Sequence, residues 1–119
     1  MGCCFIEPRD RAVLEKIVEF CERIENHIRR NQGSKDVFMS DIMFQDACLL
    51  SVIQIGELVV LLSDEAKAMA QEVPWRTIKD TRNVYVHKYG TVDLNAVWAT
   101  INKDIPKLKS SCVGILDGV

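Results

Sequence analysis

The sequence predicts an all-α domain, a bundle of four to five helices. Three observations predict it. Apolar residues recur at helical spacing, with Val13, Ile17, Phe20, Ile24 and Ile28 in one run and Leu94, Val97, Trp98, Ile101, Ile105 and Leu108 in another. Glycine and proline number only six and three in 119 residues, too few for a turn-rich β fold. No strand-like alternation extends beyond a few residues. At 48% hydrophobic and 27% charged, the composition supports a core and is not that of a disordered chain. The length fits a single domain over residues 1–119.

The first helix is expected from about Asp10, as its N-cap, to Asn31. Its acidic and basic residues, Glu15 to Arg29, fall mostly opposite the apolar stripe and read as a solvated face. His27 has no carboxylate or cysteine at metal-ligand spacing and reads as a surface histidine. Gln32-Gly33-Ser34-Lys35 breaks the pattern. One long helix is then expected from about Asp36 or Ser40 to Leu62, and it should be the most buried. It carries two apolar stripes, Ile42, Leu49, Ile53, Val60 and Phe44, Cys48, Ile55, Leu58. Gly56 within it suits a close helix approach, at about 1 kcal/mol against Ala. Ser63 is expected to cap a short helix from Asp64 to about Ala70. Pro74 suits the first turn of the next helix, which should stop at Tyr89-Gly90. The last helix is expected from Thr91 or Asp93 to Ser110, with a kink or restart at Pro106 and Asp104 as local cap.

Net charge is −2, with a pI near 5.7, which excludes a bulk nucleic-acid footprint. The charge is uneven. Residues 1–70 carry eight Lys/Arg against twelve Asp/Glu, and residues 71–110 carry seven against four. An anionic partner therefore has a basic region to bind locally. The five cysteines, Cys3, Cys4, Cys21, Cys48 and Cys112, form no C-x-x-C pair. They read as reduced thiols of a cytoplasmic protein, with no disulfide framework, zinc site or cofactor. No signal peptide is visible, and the longest apolar run, Leu58 to Leu62, is too short to span a bilayer. Gly2 suits a myristoylation signal, but Ile6 stands where Ser or Thr is expected.

The chemistry concentrates in Arg82-Asn83-Val84-Tyr85-Val86-His87-Lys88-Tyr89-Gly90, which holds one of only two histidines. On a helix Asn83 and His87 share a face at i, i+4. Arg82 and His87 lie about 140° apart and converge only in a groove between helices or subunits. Guanidinium binds phosphate oxygens bidentately, and imidazole moves a proton near neutral pH. The alternative is structural: cations before a helix-ending glycine are favoured by the helix dipole without any catalysis. Glu57, on a helix expected to be largely buried, needs a donor, and Arg82 or Asn83 would supply it; a solvated Glu57 is the other reading.

With these residues in order, the chain resembles the HepT-like branch of the HEPN domains (higher eukaryotes and prokaryotes nucleotide-binding). The resemblance covers nearly the whole chain. It runs through Arg9-Asp10, Asp41 to Ala47, Ile55-Gly56-Glu57, Pro74-Trp75-Arg76-Thr77-Ile78, Arg82-Asn83 with His87 and Tyr89, Val92-Asp93-Leu94, Val97-Trp98 and Asp104-Ile105-Pro106-Lys107-Leu108. It implies a HEPN-type helical homodimer with its active cleft at the subunit interface, the endoribonuclease toxin of a toxin–antitoxin system, working without metal. Arg82 and His87 match the catalytic pair and Asn83 the polar residue beside them. Tyr89 matches the tyrosine that the cognate antitoxin, a minimal nucleotidyltransferase, modifies with AMP. The chain departs at Asp80-Thr81, where Gly-Met is common, and at Lys88, where a glycine is common. Lys88 either strengthens phosphate binding or crowds the cleft.

RNA carries its own nucleophile, the 2′-OH, so cleavage needs a base, an acid and positive charge on the phosphorane. One protomer offers a single imidazole in the motif, and a two-fold axis supplies the second. Two other readings stand beside the ribonuclease. One is a non-catalytic subunit that binds nucleotide or substrate for a separate nucleotidyltransferase. The other is a structural helical dimer in which Arg82 and His87 only pair and cap.

Overall fold

The structure, a computed structural model, describes residues 6–80 and 92–118. Every regular element among them is helical. Helix α1 (Pro8–Arg30) begins two residues before the expected Asp10. Pro8 suits the first turn, where its missing N–H costs nothing. Asp10 is consequently not the N-cap. It lies inside α1, 4% exposed, and accepts from the Ser63 backbone N–H at 3.0 Å and hydroxyl at 2.6 Å. The α1 stripe of Val13, Leu14, Ile17, Cys21 and Ile24 is buried. Past Asn31 the chain reverses through Gln32 and Gly33, with φ of 59° and 66°. The Gly33 N–H closes the helix end on the Ile28 carbonyl at 2.9 Å.

Of the two starts expected for the helix ending at Leu62, Ser40 lies close to that of α3 (Ile42–Leu61), whereas the stretch from Asp36 belongs to a separate short helix, α2 (Lys35–Ser40). Asp41 divides them. It is extended, with φ −111° and ψ 104°, and its carboxylate accepts from the N–H groups of Met43 (2.9 Å) and Phe44 (3.3 Å). Satisfying those orphan donors makes a new helix start cheaper than a continuous helix. Ser34 caps α2 through the Val37 N–H at 3.2 Å.

Helix α3 packs along α1, and α1 also packs on the last helix, α7 (Ile105–Asp117). Phe44, Cys48, Leu49, Val52, Ile55, Gly56 and Val59 of α3 are buried, and Ile53 is partly so. Two residues expected in the buried stripes are not: Ile42 is 69% and Val60 50% exposed. Met43, Leu50 and Leu61 are exposed as well. These five fall within an arc of about 100° on the helix, opposite the buried face. By length and composition α3 could also cross a membrane, yet one of its faces belongs to the core of this fold.

Ser63 caps α4 (Asp64–Ala68) through the Ala66 N–H at 3.1 Å, as expected, although α4 ends before Ala70. A helical stretch follows at 75–80 (α5). Its entry is anchored by the Trp75 indole N–H, which donates to the carbonyls of Lys67 and Ala70 at 3.1 Å each. Helix α6 (Leu94–Ala99) starts at Asp93, whose carboxylate accepts from the Asn95 N–H at 2.9 Å. A π-helical turn, Thr100–Asp104, joins it to α7 (Ile105–Asp117). Pro106 sits in the first turn of α7, and Asp104 makes no side-chain cap. The widened turn absorbs the missing proline N–H in place of the expected capped restart. The last helix also runs beyond Ser110, because Cys112 and Ile115 continue its buried stripe. Phe38, Phe44 and Trp98 bring α2, α3 and α6 together, with ring centroids 5.0 and 5.2 Å from Phe38.

Candidate active site

Of the residues assigned to the site from sequence, Arg82, Asn83, His87, Lys88 and Tyr89 lie outside the described residues, and so does the helix end expected at Gly90. Both ends of that segment are fixed by what surrounds it. On one side Ile78 packs against the core and Trp75 holds the entry of α5. On the other, Val92 packs against the core and Asp93 caps α6.

Glu57 is the one assigned residue that is described. It is exposed, on the outer face of α3. The expectation that it sits on a largely buried helix is corrected, because α3 is buried on one face only. Asp46, exposed too, lies on the same outer face, about 20° from Glu57 around the helix axis. His27, read as a surface residue, is half-buried near the end of α1, and its carbonyl accepts from the Asn31 side chain at 2.8 Å.

The buried thiols are not reagents. Burial pushes Cys48 and Cys112 up to about 12. Burial also raises Cys21, with the neighbouring Cys112 adding to the effect. All three are protonated near neutral pH and behave as small apolar groups. Among the described residues, no group of three His, Cys, Asp or Glu side chains is placed to hold a metal ion.

A feature that sequence reasoning missed is a pocket of about 480 Å³ between the start of α5, the middle of α3 and the π turn with α7. Val52, Ile55, Ile78 and Leu108 give it apolar walls, and Thr100, Asp104 and Lys107 stand on its lining. The Ser111 hydroxyl donates to Glu72 at 2.9 Å beside it. The signal was present in Asp104-Ile105-Pro106, where a proline just inside a continuous apolar stripe required a departure from α geometry.

Comparison with known proteins bears directly on this region. The ribonuclease HepT-like family model matches residues 12–114, a span that includes Arg82 to Tyr89. The chain is 35% identical over 107 residues to the "Putative RNase" of Caldanaerobacter subterraneus subsp. tengcongensis, covering 89% of this chain and 93% of that protein. It is 33% identical over 96 residues to the "Probable ribonuclease HepT" of Thermococcus cleftensis, covering 81% and 86%. A "Gamma-glutamylcyclotransferase and putative RNase" of Methanocaldococcus jannaschii is 32% identical over 104 residues, 87% of this chain but only 46% of that longer protein. No solved structure matches the chain at the same stringency.

Proposed function

The chain belongs to the ribonuclease HepT-like family, and from that premise we propose that it is the metal-independent endoribonuclease toxin of a cytoplasmic toxin–antitoxin pair. Arg82 and His87 carry the chemistry, with Asn83, Glu57 and Lys88 supporting it. The observation that carries this reading is the family match running through the whole Arg82 to Tyr89 motif.

Cleavage proceeds by attack of the substrate's own 2′-oxygen. One His87 takes the 2′-OH proton as the O2′–P bond forms. The P–O5′ bond breaks, and the His87 of a second copy returns a proton to O5′. Arg82 holds the charge that develops on the phosphorane. The products are a 2′,3′-cyclic phosphate and a 5′-hydroxyl. The second copy is supported by the outer face of α3, where Ile42, Met43, Leu50, Val60 and Leu61 are 47–82% exposed on either side of Asp46 and Glu57. Five exposed large apolar residues on one face of a small domain are the kind of surface that a partner covers.

Silencing falls to a minimal nucleotidyltransferase antitoxin that attaches AMP to Tyr89. The added negative charge competes with RNA phosphate for Arg82 and Lys88. The deciding experiment is cleavage of RNA by wild-type and His87→Ala proteins in EDTA. Activity that vanishes only in the variant supports the reading. A fully active variant, or a requirement for a divalent ion, points to a binding subunit instead.

A further inference from the structure

We propose that the pocket between α3, α5 and the π turn reads a base of the RNA and selects guanine. The proposal rests on the ribonuclease reading for the class of its ligand, and goes beyond it in naming the base and the residues that choose it.

At about 480 Å³ the cavity falls in the range of small-molecule sites and admits a nucleoside. Val52, Ile55, Pro74 and Ile78 present apolar surface to the faces of a planar ring. Polar groups line it on two sides: Glu72, which accepts from Ser111, and Thr77 at the start of α5, and Thr100, Asp104 and Lys107 on the π turn and the first turn of α7. There Asp104 and Lys107 are one helical turn apart and both line the pocket. Asp104 occupies the cap position of α7 and yet caps nothing with its side chain. Among the described residues, neither Asp104 nor Lys107 takes part in any of the ion pairs, which join Lys16, Arg23 and Lys109 to Glu19, Glu22 and Glu25. Both charges are therefore available to a ligand. The π turn that brings Thr100 and Asp104 to this wall is a departure from α geometry of the kind that recurs at functional sites.

An ionised carboxylate only accepts hydrogen bonds, and it repels phosphate. The group that it faces is then a base edge with donors. Guanine alone offers two adjacent donors, N1–H and the N2 amine, to the two oxygens of one carboxylate. Its O6 lies next to them as an acceptor for an ammonium group such as that of Lys107. Adenine and cytosine place a ring-nitrogen acceptor beside a single amine. Uracil flanks its one N–H with two carbonyls. Ile78 on its wall precedes Arg82 by four residues in the sequence.

The test has two readouts. The first is cleavage of RNA oligonucleotides that each hold one guanosine in an adenosine, cytidine and uridine background. Wild-type protein should cut beside guanosine with a preference of about tenfold or more. In Asp104→Asn the preference should collapse, because the amide replaces one acceptor by a donor. Wild-type cleavage with no base preference, or a guanosine preference kept by Asp104→Asn, overturns the proposal while leaving the ribonuclease reading intact. The second readout is binding of GMP, AMP, CMP and UMP to the His87→Ala protein, followed by methyl resonances of Ile55, Ile78 and Ile105. Perturbation by GMP above the other three supports the subsite even if no cleavage is ever seen. Equal perturbation by all four, or by none, overturns it.

Discussion

Asp10 and Ser63, fifty-three residues apart, are joined by two hydrogen bonds, and the same Ser63 hydroxyl also accepts from the Ala66 N–H. One carboxylate inside α1 thus fixes the turn between α3 and α4, and that turn in turn sets where α5 begins.

Asp10→Ala should therefore destabilise the fold by about 2 kcal/mol, the scale of a buried hydrogen bond to a charged group. Urea unfolding should show a lower midpoint with an unchanged slope. Ser63→Ala should lose a similar amount and also weaken the cap of α4.

A second stability effect lies between α1 and α7. Lys109 donates to Glu25 at 2.8 Å and approaches Glu22 at 3.6 Å. The hydrogen bond to Glu25 is the main reason that the Lys109 ammonium is held above its ordinary 10.5. A raised folded-state value means that the contribution is complete below the unfolded value and fades as pH climbs through the folded one. Lys109→Met should cost on the order of 1 kcal/mol near neutral pH. The gap from wild type should narrow in melting curves as the pH climbs past 10.5 and through the raised folded-state value.

Leu50→Lys tests the outer face of α3. The residue is 58% exposed and outside the core, so helical circular dichroism should be retained. Light scattering should report a dimer for the wild type and a monomer for the variant, and RNA cleavage should fall with the dimer. A variant that remains dimeric would move the interface elsewhere.

Arg82→Ala should lower RNA cleavage on the order of 100-fold or more, the usual cost of removing one transition-state charge contact. Its circular dichroism and melting should stay near wild type. Loss of activity accompanied by loss of fold would instead assign Arg82 to structure.

Tyr89→Phe is the measure of silencing. Co-expressed with a minimal nucleotidyltransferase partner, wild-type chain should gain one or more AMP masses in intact mass spectrometry. The Tyr89→Phe chain should gain none and should remain toxic.

The helical class was legible because the stripes of α1 and α6–α7 follow one face each, and a single face has a single period. The cap at Ser63 was legible for a local reason: a short polar side chain precedes a helical run. Asp10 misled because the same residue type serves equally as a cap or as a partner for a distant hydroxyl, and only the tertiary fold decides which. The start at Asp41 was legible only through the family resemblance, because the apolar pattern runs on both sides of it. Ile42 and Val60 were assigned to the core because hydrophobicity alone does not record which face of a helix meets the rest of the fold. Only Glu57 of the candidate site is described, and its exposure followed from that same one-sided burial of α3. The pocket had no periodic signature, since it arises where the last helix leaves α geometry.

The hydrogen-bonded indole of Trp75 has a practical consequence. The chain has two tryptophans, and they stand in unlike settings on either side of the motif segment. Trp75 is tied to the carbonyls at the end of α4, whereas Trp98 packs at a tilt against Phe38 and edge-on to Phe44. The protein thus carries two intrinsic fluorophores that bracket its proposed chemistry. Replacing either one with Phe leaves a single emitter. Emission from Trp75 alone then follows events at the entry to the motif, and emission from Trp98 alone follows the aromatic cluster, without any attached dye.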